Sequence, residues 1–325
     1  MYDIVTIGSA TKDIFLISKQ FQIIQSHKFS TGYGECVPFG SKIEIEKAVM
    51  TTGGGGTNAA ATFARLGFNT AVITRIGDDS SGRDVLDELK TAGVKTTLIQ
   101  TIKGGQTGLG VQLTAKDGER SILVNRGVSK TFTKNDIPWS KLKAKWIYMT
   151  SLAGNLSLAT RIAKHAKQHK INLAFNPGSG ELAKGLRGME PMMRNLAILN
   201  LNLEEAQLLA KSKSDDISVL CKKIHRPNLT LIITDGPRGA WAHKDTETWF
   251  VRPTASKSVS RTGAGDAFGS ALVASLAKGY GLDSALQIGV ANAESVIASY
   301  GAKIGILNAW PKASELKKYK VRNLT

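Results

Sequence analysis

A turn of small residues leads into a single aspartate at position 266. Residues 262–266 (TGAGD) precede a run in which Phe268, Leu272 and Leu276 lie on one face of a predicted helix. Backbone N–H groups crowd together in such a turn, and the helix dipole adds positive charge, so a phosphate or a developing oxyanion can bind there. Asp266 either caps the helix or takes a proton from a hydroxyl beside the bound phosphate, and the local pattern leaves both roles open.

Other motifs that bind phosphate or metal fit the sequence poorly. There is no GxxxxGK[ST] segment, so a P-loop is not expected. The loose form of the dinucleotide fingerprint is met by Gly54, Gly56 and Ala59. Because these residues lie far from the first strand, their position disfavours a Rossmann dehydrogenase. The five histidines are scattered, which gives a zinc hydrolase little support.

Strands and helices alternate along most of the chain. Residues 58–67 predict a helix, and Asp79 or Ser80 caps a second helix that ends at Gly93. Six nearly continuous apolar runs have the length of strands: 2–8, 70–77, 145–151, 171–178, 196–202 and 229–236. This order predicts an α/β fold with a parallel sheet covered on both faces.

Two regions, 15–50 and 102–126, break that alternation and predict an accessory β-layer. Val111 and Leu113, then Ile122 and Val124, alternate with polar residues around a turn at 116–118, which is typical of a hairpin. Such a layer is either a lid or a decoration, and the pattern does not decide between them.

Composition predicts one large globular domain over residues 1–325, with 42% hydrophobic and 21% charged residues. No apolar run approaches the ~18–20 residues that a membrane span needs. The N-terminal residues lack the pattern of a secretion signal. Two cysteines, Cys36 and Cys221, are too few for a disulfide framework or a zinc site, so we expect a reducing cytoplasm.

The formal net charge is +17. The lysines are dispersed, aromatic residues make up only 6%, and no arginine-rich stripe occurs. These features favour a solvated basic surface over a nucleic-acid site.

Several segments together resemble the ribokinase-like (PfkB) carbohydrate kinases. TGAGDAFGSALVASL resembles the family's C-terminal signature, and GGGGTNAAATFARLG (53–67) followed by RIGDDSSG (75–82) resembles the N-terminal one. GSATKD, NLNLEEAQLL, TDGPRGA and ANAESVIASYGA follow in the family's order. The resemblance implies a three-layer α/β/α domain with a small β-sheet lid. It also implies transfer of the γ-phosphoryl group of ATP to a hydroxyl of a sugar or nucleoside.

The resemblance also implies roles for the acceptor side. Asp266 matches the catalytic base, and Gly263, Ala264 and Gly265 with the Asp266 N–H match the anion hole.

Asp13 matches the carboxylate that holds substrate hydroxyls, and Gly54, Gly55 and Asn58 match the substrate-binding di-glycine and asparagine. Without the family, Asp13 reads as a solvated loop residue and Asn58 as a helix N-cap.

On the nucleotide side, Asn202 and Glu205 match the element that organises Mg²⁺, although two glutamates at 204 and 205 also suit a helix start. Thr234, Gly236 and Gly239 match the nucleotide-side strand and turn. Asn292 matches a position in the adenine pocket, and buried helix packing is the alternative.

Ser260 and Arg261 depart from the family pattern. Ser260 stands where the family has an aspartate that helps to bind a monovalent cation, and Arg261 follows it. Loss of that charge predicts little or no dependence on K⁺, unless Arg261 simply points to solvent. The departure also keeps open a catalytically weak nucleotide- or sugar-binding protein on the same fold.

The identity of the acceptor is the least determined point. The GGGGTN segment has no arginine or lysine to hold a substrate phosphate, which favours a neutral sugar or nucleoside. A phosphosugar is the alternative, because Arg120, Arg126 or Arg261 could reach a phosphate. The resemblance further implies a homodimer formed through the β-lid.

Overall fold

A nine-stranded sheet runs through the centre of the protein. The computed structural model describes residues 1–29, 32–115, 120–254 and 256–325. Its strands are β1 Tyr2–Ile7, β2 Thr11–Ile17, β3 Gln22–Gln25, β4 Tyr33–Cys36, β5 Lys47–Gly53, β6 Thr70–Ile73, β7 Arg75–Gly77, β8 Gln100–Ile102, β9 Gly108–Thr114, β10 Arg120–Asn125, β11 Ala144–Thr150, β12 Asn172–Asn176, β13 Ile198–Asn202, β14 Thr230–Thr234, β15 Ala240–Lys244, β16 Glu247–Val251 and β17 Val321–Asn323.

The central sheet has the order β17-β16-β15-β14-β13-β12-β11-β1-β6. Pairing is parallel from β6 to β14 and antiparallel from β14 to β17. The carboxyl ends of the parallel strands therefore share one edge, where the loops that follow them can form a site.

Helices cover both faces of this sheet. They are α1 Gly55–Arg65, α2 Ser80–Thr91, α3 Leu156–Gln168, α4 Ser179–Leu182, α5 Gly185–Met193, α6 Leu203–Ala210, α7 Ile217–Ile224, α8 Ala264–Lys278, α9 Leu282–Ile297 and α10 Ala313–Leu316. Val5 and Ile147 pack with α3, α5, α6 and α7, whereas Ile4 and Tyr148 pack with α1, α8 and α9. Neighbouring residues of one strand thus enter opposite cores, which confirms the predicted three-layer α/β/α fold.

The second sheet has four strands in the order β10-β9-β2-β5, and its strand β2 follows the carboxyl end of β1 in the chain. The glycine-rich region also forms a separate hairpin, β3-β4. Strands β9 and β10 pair antiparallel, while their turn at 116–118 lies outside the described residues. Strands β2 and β5 of this sheet reach a few residues beyond the predicted segment 15–50. Strand β2 begins at Thr11, because GSATKD continues into a strand, and β5 ends at Gly53.

Two predicted elements differ from the structure. The run 70–77 is divided at Thr74 into β6, which joins the central sheet, and β7, which pairs with β8. Helix α1 begins at Gly55 rather than at Asn58, because Gly54 occupies the N-cap. The other apolar runs form β1, β11, β12, β13 and β14, and Asp79 caps α2 through the Gly82 N–H as predicted. No helix in the described part of the chain is both long and apolar enough to cross a membrane.

Candidate active site

The turn before α8 has the open backbone that an anion site requires. Gly263 is the N-cap with φ 82°, a left-handed conformation that side chains rarely adopt, and a Cβ there would overlap Ala302. A Cβ on Gly265 would meet nothing within 4 Å. Space is therefore open beside Gly265, at the positive end of a 15-residue helix. The Ala264 N–H of this turn donates to the Arg261 carbonyl oxygen at 3.3 Å.

Asp266 lies in that first turn and forms a hydrogen bond with α1. The Asn58 Nδ2 group donates to Asp266 Oδ2 at 2.8 Å across a separation of 208 residues. The N-cap positions belong to Gly263 and Gly54, so neither Asp266 nor Asn58 is a cap, and the capping alternatives for both residues are wrong. Burial raises the pKa of the Asp266 carboxyl, and the hydrogen bond from Asn58 opposes that rise.

Asp13 lies on β2 and is only 8% exposed, so it is not a solvated loop residue. Thr11 Oγ1 donates to Asp13 Oδ1 at 2.8 Å. A Cβ on Gly53 would overlap Asp13 Oδ2, and one on Gly110 would lie 2.9 Å from Oδ1. Glycines on the two adjacent strands, Gly53 and Gly110, thus make room for this carboxylate. Burial raises the pKa of Asp13, and the hydrogen bond from Thr11 lowers it.

The di-glycine at 54–55 allows a close approach of three backbone segments. Gly54 has φ 95°, and a Cβ there would lie 2.5 Å from the Ser9 carbonyl oxygen. A Cβ on Gly55 would lie 2.9 Å from Thr150 Oγ1. Both positions need glycine because α1 starts against the ends of β1 and β11.

A cavity of about 190 Å³ lies beside Asp266. Its wall brings together six of the predicted site residues: Asn202, Glu205, Thr234, Gly263, Gly265 and Asp266. Asn202 and Glu205 also form the capping box of α6, since Glu205 Oε2 accepts from the Asn202 N–H at 2.9 Å and Asn202 Oδ1 accepts from the Glu205 N–H at 2.8 Å. Asn202 and Glu205 therefore both begin helix α6 and line the cavity. Burial raises the pKa of the Glu205 carboxyl.

Oxygen ligands in this cavity suit a Mg²⁺ ion. Asn200 lines the wall with Glu205, and its Oδ1 is buried with no hydrogen-bond partner among the residues that the structure describes. No group of three or more His, Cys, Asp or Glu side chains that could hold a metal occurs within the described ranges. Because Mg²⁺ keeps most of its waters and takes few protein ligands, such a sparse oxygen site fits it.

A second cavity of about 290 Å³ adjoins the first and shares Thr234 and Gly265 with it. Gly236 and Gly239 line it, and the exposed Arg261 lies on its wall. Most of its lining is apolar, from Pro237, Ala240, Pro253, Phe268, Val290, Ala293 and Ile297. An apolar lining with a few polar groups is typical of a site for a small molecule.

Asn292 does not line this cavity, which corrects the position implied by the resemblance. It is fully buried, its Nδ2 donates to the Ala267 carbonyl at 2.8 Å, and its Oδ1 accepts from the Leu307 N–H at 2.9 Å. Both ends of the amide are thus used to join α9 to α8 and to the following loop. Ala293 and Glu294 line the cavity instead.

The second sheet contacts the anion-hole turn directly. Thr262 Oγ1 donates to Gln112 Oε1 of β9 at 2.5 Å, and Gln112 is 2% exposed. Phe15 of β2 packs edge-on against Tyr300, with ring centroids 5.6 Å apart. Sequence reasoning missed Gln112 because it is one polar residue in an alternating strand, and only tertiary structure places it at the turn.

Comparisons with known proteins agree with this geometry. Residues 1–309 match the family model described as pfkB family carbohydrate kinase. An uncharacterized sugar kinase of Archaeoglobus fulgidus is 28% identical over 246 residues, 75% of this chain and 97% of that protein. A ribokinase of Haemophilus influenzae is 25% identical over 78% of this chain and 83% of its own length. The Methanocaldococcus jannaschii nucleoside kinase structure superposes with a TM-score of 0.78 at 20% identity, covering 98% of this chain and 99% of that one.

Proposed function

Because the chain belongs to the pfkB family of carbohydrate kinases, we propose that it transfers the γ-phosphoryl group of ATP to a hydroxyl of a sugar or nucleoside, with Asp266 as general base. The observation that carries the assignment is the Asn58–Asp266 hydrogen bond. It holds the carboxylate at the junction between the acceptor residues of α1 and the anion-hole turn of α8.

The chain's own residues support each part of the transfer. Asp13 and the backbone at Gly54 hold the acceptor hydroxyls, and Asn58 orients Asp266. Asp266 takes the proton of the acceptor hydroxyl as its oxygen bonds to the γ-phosphorus and the bond to the leaving ADP oxygen breaks. The N–H groups of residues 263–266 stabilise the charge on the transferring phosphoryl group.

Glu205 and Asn200 would hold Mg²⁺ with its waters in the cavity of about 190 Å³, whose wall also includes Asn202. When bound, this ion neutralises charge on the donor phosphates. Thr234, Gly236 and Gly239 contact the nucleotide, and the apolar wall receives its base.

The second sheet acts as the lid of a single domain. Its strands β2, β5, β9 and β10 lie in or at the ends of the predicted lid segments 15–50 and 102–126. Gln112 joins it to Thr262, one residue before the Gly263 N-cap, so closure of the sheet and placement of the anion hole are coupled. Closure excludes water, which protects ATP from hydrolysis.

A panel of acceptors tests this function. Ribose, fructose, adenosine, other nucleosides and fructose phosphate are each incubated with ATP and Mg²⁺, and ADP formation is followed. A neutral sugar or a nucleoside is expected to be the best acceptor. Absence of turnover with every member, while ATP still binds, would favour the non-enzymatic binding protein.

A phosphosugar is the second candidate acceptor, and one cavity favours it. A space of about 120 Å³ is lined by Gly8, Ser9 and Thr11 of the acceptor side and by Arg126 and Ser151. An arginine among hydroxyl groups can bind a phosphate. Preference for fructose phosphate over fructose in the panel would select this alternative.

The kinase depends weakly or not at all on K⁺. Ser260 is 8% exposed and accepts from the Thr262 N–H at 3.3 Å, so an uncharged hydroxyl lies behind the anion-hole turn. Arg261 supplies positive charge at the nucleotide cavity. In Na⁺-free buffer, activity is expected to change little when KCl is added, and a large activation would contradict this.

Dimerisation through the lid is supported by an apolar row on its outer face. Met50, Ile14, Val111 and Leu123 stand in direct register across β5, β2, β9 and β10. Met50 is 63% exposed and Leu123 is 57% exposed. A second copy of the chain would cover this row. A cytoplasmic location and the absence of a nucleic-acid partner stay predictions from composition.

A further inference from the structure

Lys303 is a buried lysine beside the acceptor side of the site. It lies in the loop after α9, and the residue is 2% exposed. Its Nζ donates to Thr52 Oγ1 of β5 at 2.7 Å. Burial of an ammonium is costly unless neighbouring charges compensate it, so the surroundings of Lys303 decide what it does.

Hydrogen bonds fix both ends of this residue. Thr52 Oγ1, which accepts from the ammonium, donates in turn to Glu88 of α2. At the backbone, Arg65 Nη1 of α1 donates to the Lys303 carbonyl oxygen at 2.8 Å. Lys303 is therefore held between strand β5 of the lid and helix α1.

The loop that carries Lys303 packs between the lid and the anion-hole turn. A Cβ on Gly301 would lie 2.9 Å from Thr51 Cγ2 of β5. On the other side, a Cβ on Gly263 would overlap Ala302. The loop that carries Lys303 thus lies between strand β5 of the lid and the turn before α8, the helix that carries Asp266.

Three carboxylates act on the charge of the ammonium. Glu88 of α2, Asp13 of β2 and Asp266 of α8 raise the pKa of Lys303, and Arg65 of α1 lowers it. Asp13 lies on the strand that pairs with β5, where a Cβ on Gly53, the residue after Thr52, would overlap its carboxylate. Lys303 forms no direct ion pair in the part of the chain that the structure describes. Its influence on Asp13 and Asp266 is therefore through space, in a buried region where screening by solvent is weak.

The balance of these effects leaves Lys303 charged near neutral pH. Burial lowers the pKa of Lys303 to about 8. In return, its charge lowers the pKa of Asp13 and of Asp266, against the rise that burial causes in both. Each carboxylate must be ionised for its proposed work, since Asp13 accepts hydrogen bonds and Asp266 accepts a proton.

We propose that Lys303 is a built-in cation of the acceptor site, a positioning residue whose buried ammonium compensates Asp13 and Asp266 and keeps both ionised around a neutral substrate. The proposal extends the proposed kinase function, because it assigns the charge balance of the same site. It also explains why a lysine, rather than an apolar residue of similar length, occupies a buried position.

Thermal unfolding at two pH values tests the charge effect without ATP or acceptor. Lys303→Met removes the ammonium and retains similar volume, so the folded-state pKa of the two carboxyl groups rises further above the unfolded values. The free energy of unfolding then falls as pH rises from the unfolded pKa values of the two carboxyl groups to their folded-state values. The melting temperature of the variant is expected to fall relative to wild type by about 3 °C or more between about pH 5 and about pH 7.

Two further variants control this comparison. Lys303→Arg keeps the charge and is expected to follow the wild-type pH dependence. Lys12→Met removes the neighbouring, more exposed lysine that pairs with Asp84 of α2 at 2.7 Å, and its melting temperature difference is expected to be the same at both pH values. If Lys303→Met does not fold, Lys303→Gln makes the same comparison. A difference from wild type that does not change with pH would reduce Lys303 to a packing role and overturn the proposal.

The second measurement uses turnover with the best acceptor of the panel. The rate of Lys303→Met is expected to be about tenfold or more below wild type on the acidic side of neutrality. The difference is expected to shrink as pH rises through about 8, the pKa of Lys303, because wild-type Lys303 loses its charge there. An equal loss at every pH contradicts the proposal. If no acceptor is turned over, the kinase function fails while the unfolding comparison still decides the role of Lys303.

Discussion

Replacement of Asp266 with asparagine is expected to lower kcat by about 10²–10⁴-fold, because the amide cannot take the proton of the acceptor hydroxyl. The change is nearly isosteric, and the anion hole is made of backbone N–H groups, so ATP binding is expected to stay close to that of wild type. Steady-state kinetics and calorimetric titration with ATP measure the two quantities separately.

A matched control for this variant lies on the next helix. Asp283 occupies the first turn of α9, as Asp266 does in α8, but it is exposed. Asp283→Asn is expected to keep wild-type turnover. The wild-type rate should also fall as pH drops, because the base must be ionised and burial raises its pKa. Equal rates for Asp266→Asn and wild type would remove Asp266 from the role of base.

Replacement of Asp13 with asparagine is expected to raise the KM for the acceptor by about 10- to 100-fold, since a buried carboxylate gives stronger hydrogen bonds to hydroxyl groups than an amide does. The KM for ATP should change little, because Asp13 lies on β2, on the lid side of the site and outside both nucleotide-side cavities. Kinetics with each substrate varied in turn separate the two effects.

Asp84→Asn is the control for Asp13. Its carboxylate pairs with Lys12 of the same strand at 2.7 Å, and the Asp84 side chain is half exposed. This variant is expected to retain the wild-type KM values. A parallel rise in both KM values for Asp13→Asn would indicate a disturbed lid rather than a lost acceptor contact.

The architecture was predictable because period and length determine most of it. The continuous apolar runs form the parallel strands, and most of the second sheet comes from the two segments that break the alternation, 15–50 and 102–126. The division at Thr74 was not predictable, since β6 and β7 are both apolar and periodicity does not say which sheet a strand joins.

The site was predictable where spacing in the chain reflects local structure, as in the turn before α8 and the capping box of α6. Contacts between distant segments were not. A lysine in a loop with glycines reads as a solvated residue, and Lys303 is buried only because β5 and the anion-hole turn close over it. The hydrogen bonds that occupy Asn292 likewise join it to Ala267 of α8 and to Leu307 in the loop after α9, which the sequence pattern alone does not bring together.

Transfer of a labelled γ-phosphoryl group is the most direct test of the central claim. The enzyme, in excess over [γ-³²P]ATP, is mixed with Mg²⁺ and the best acceptor, and the products are separated by chromatography. We expect the label on a hydroxyl of the acceptor with the wild-type protein and unreacted ATP with Asp266→Asn. Label found only in inorganic phosphate, or equal transfer by the two proteins, would contradict the claim.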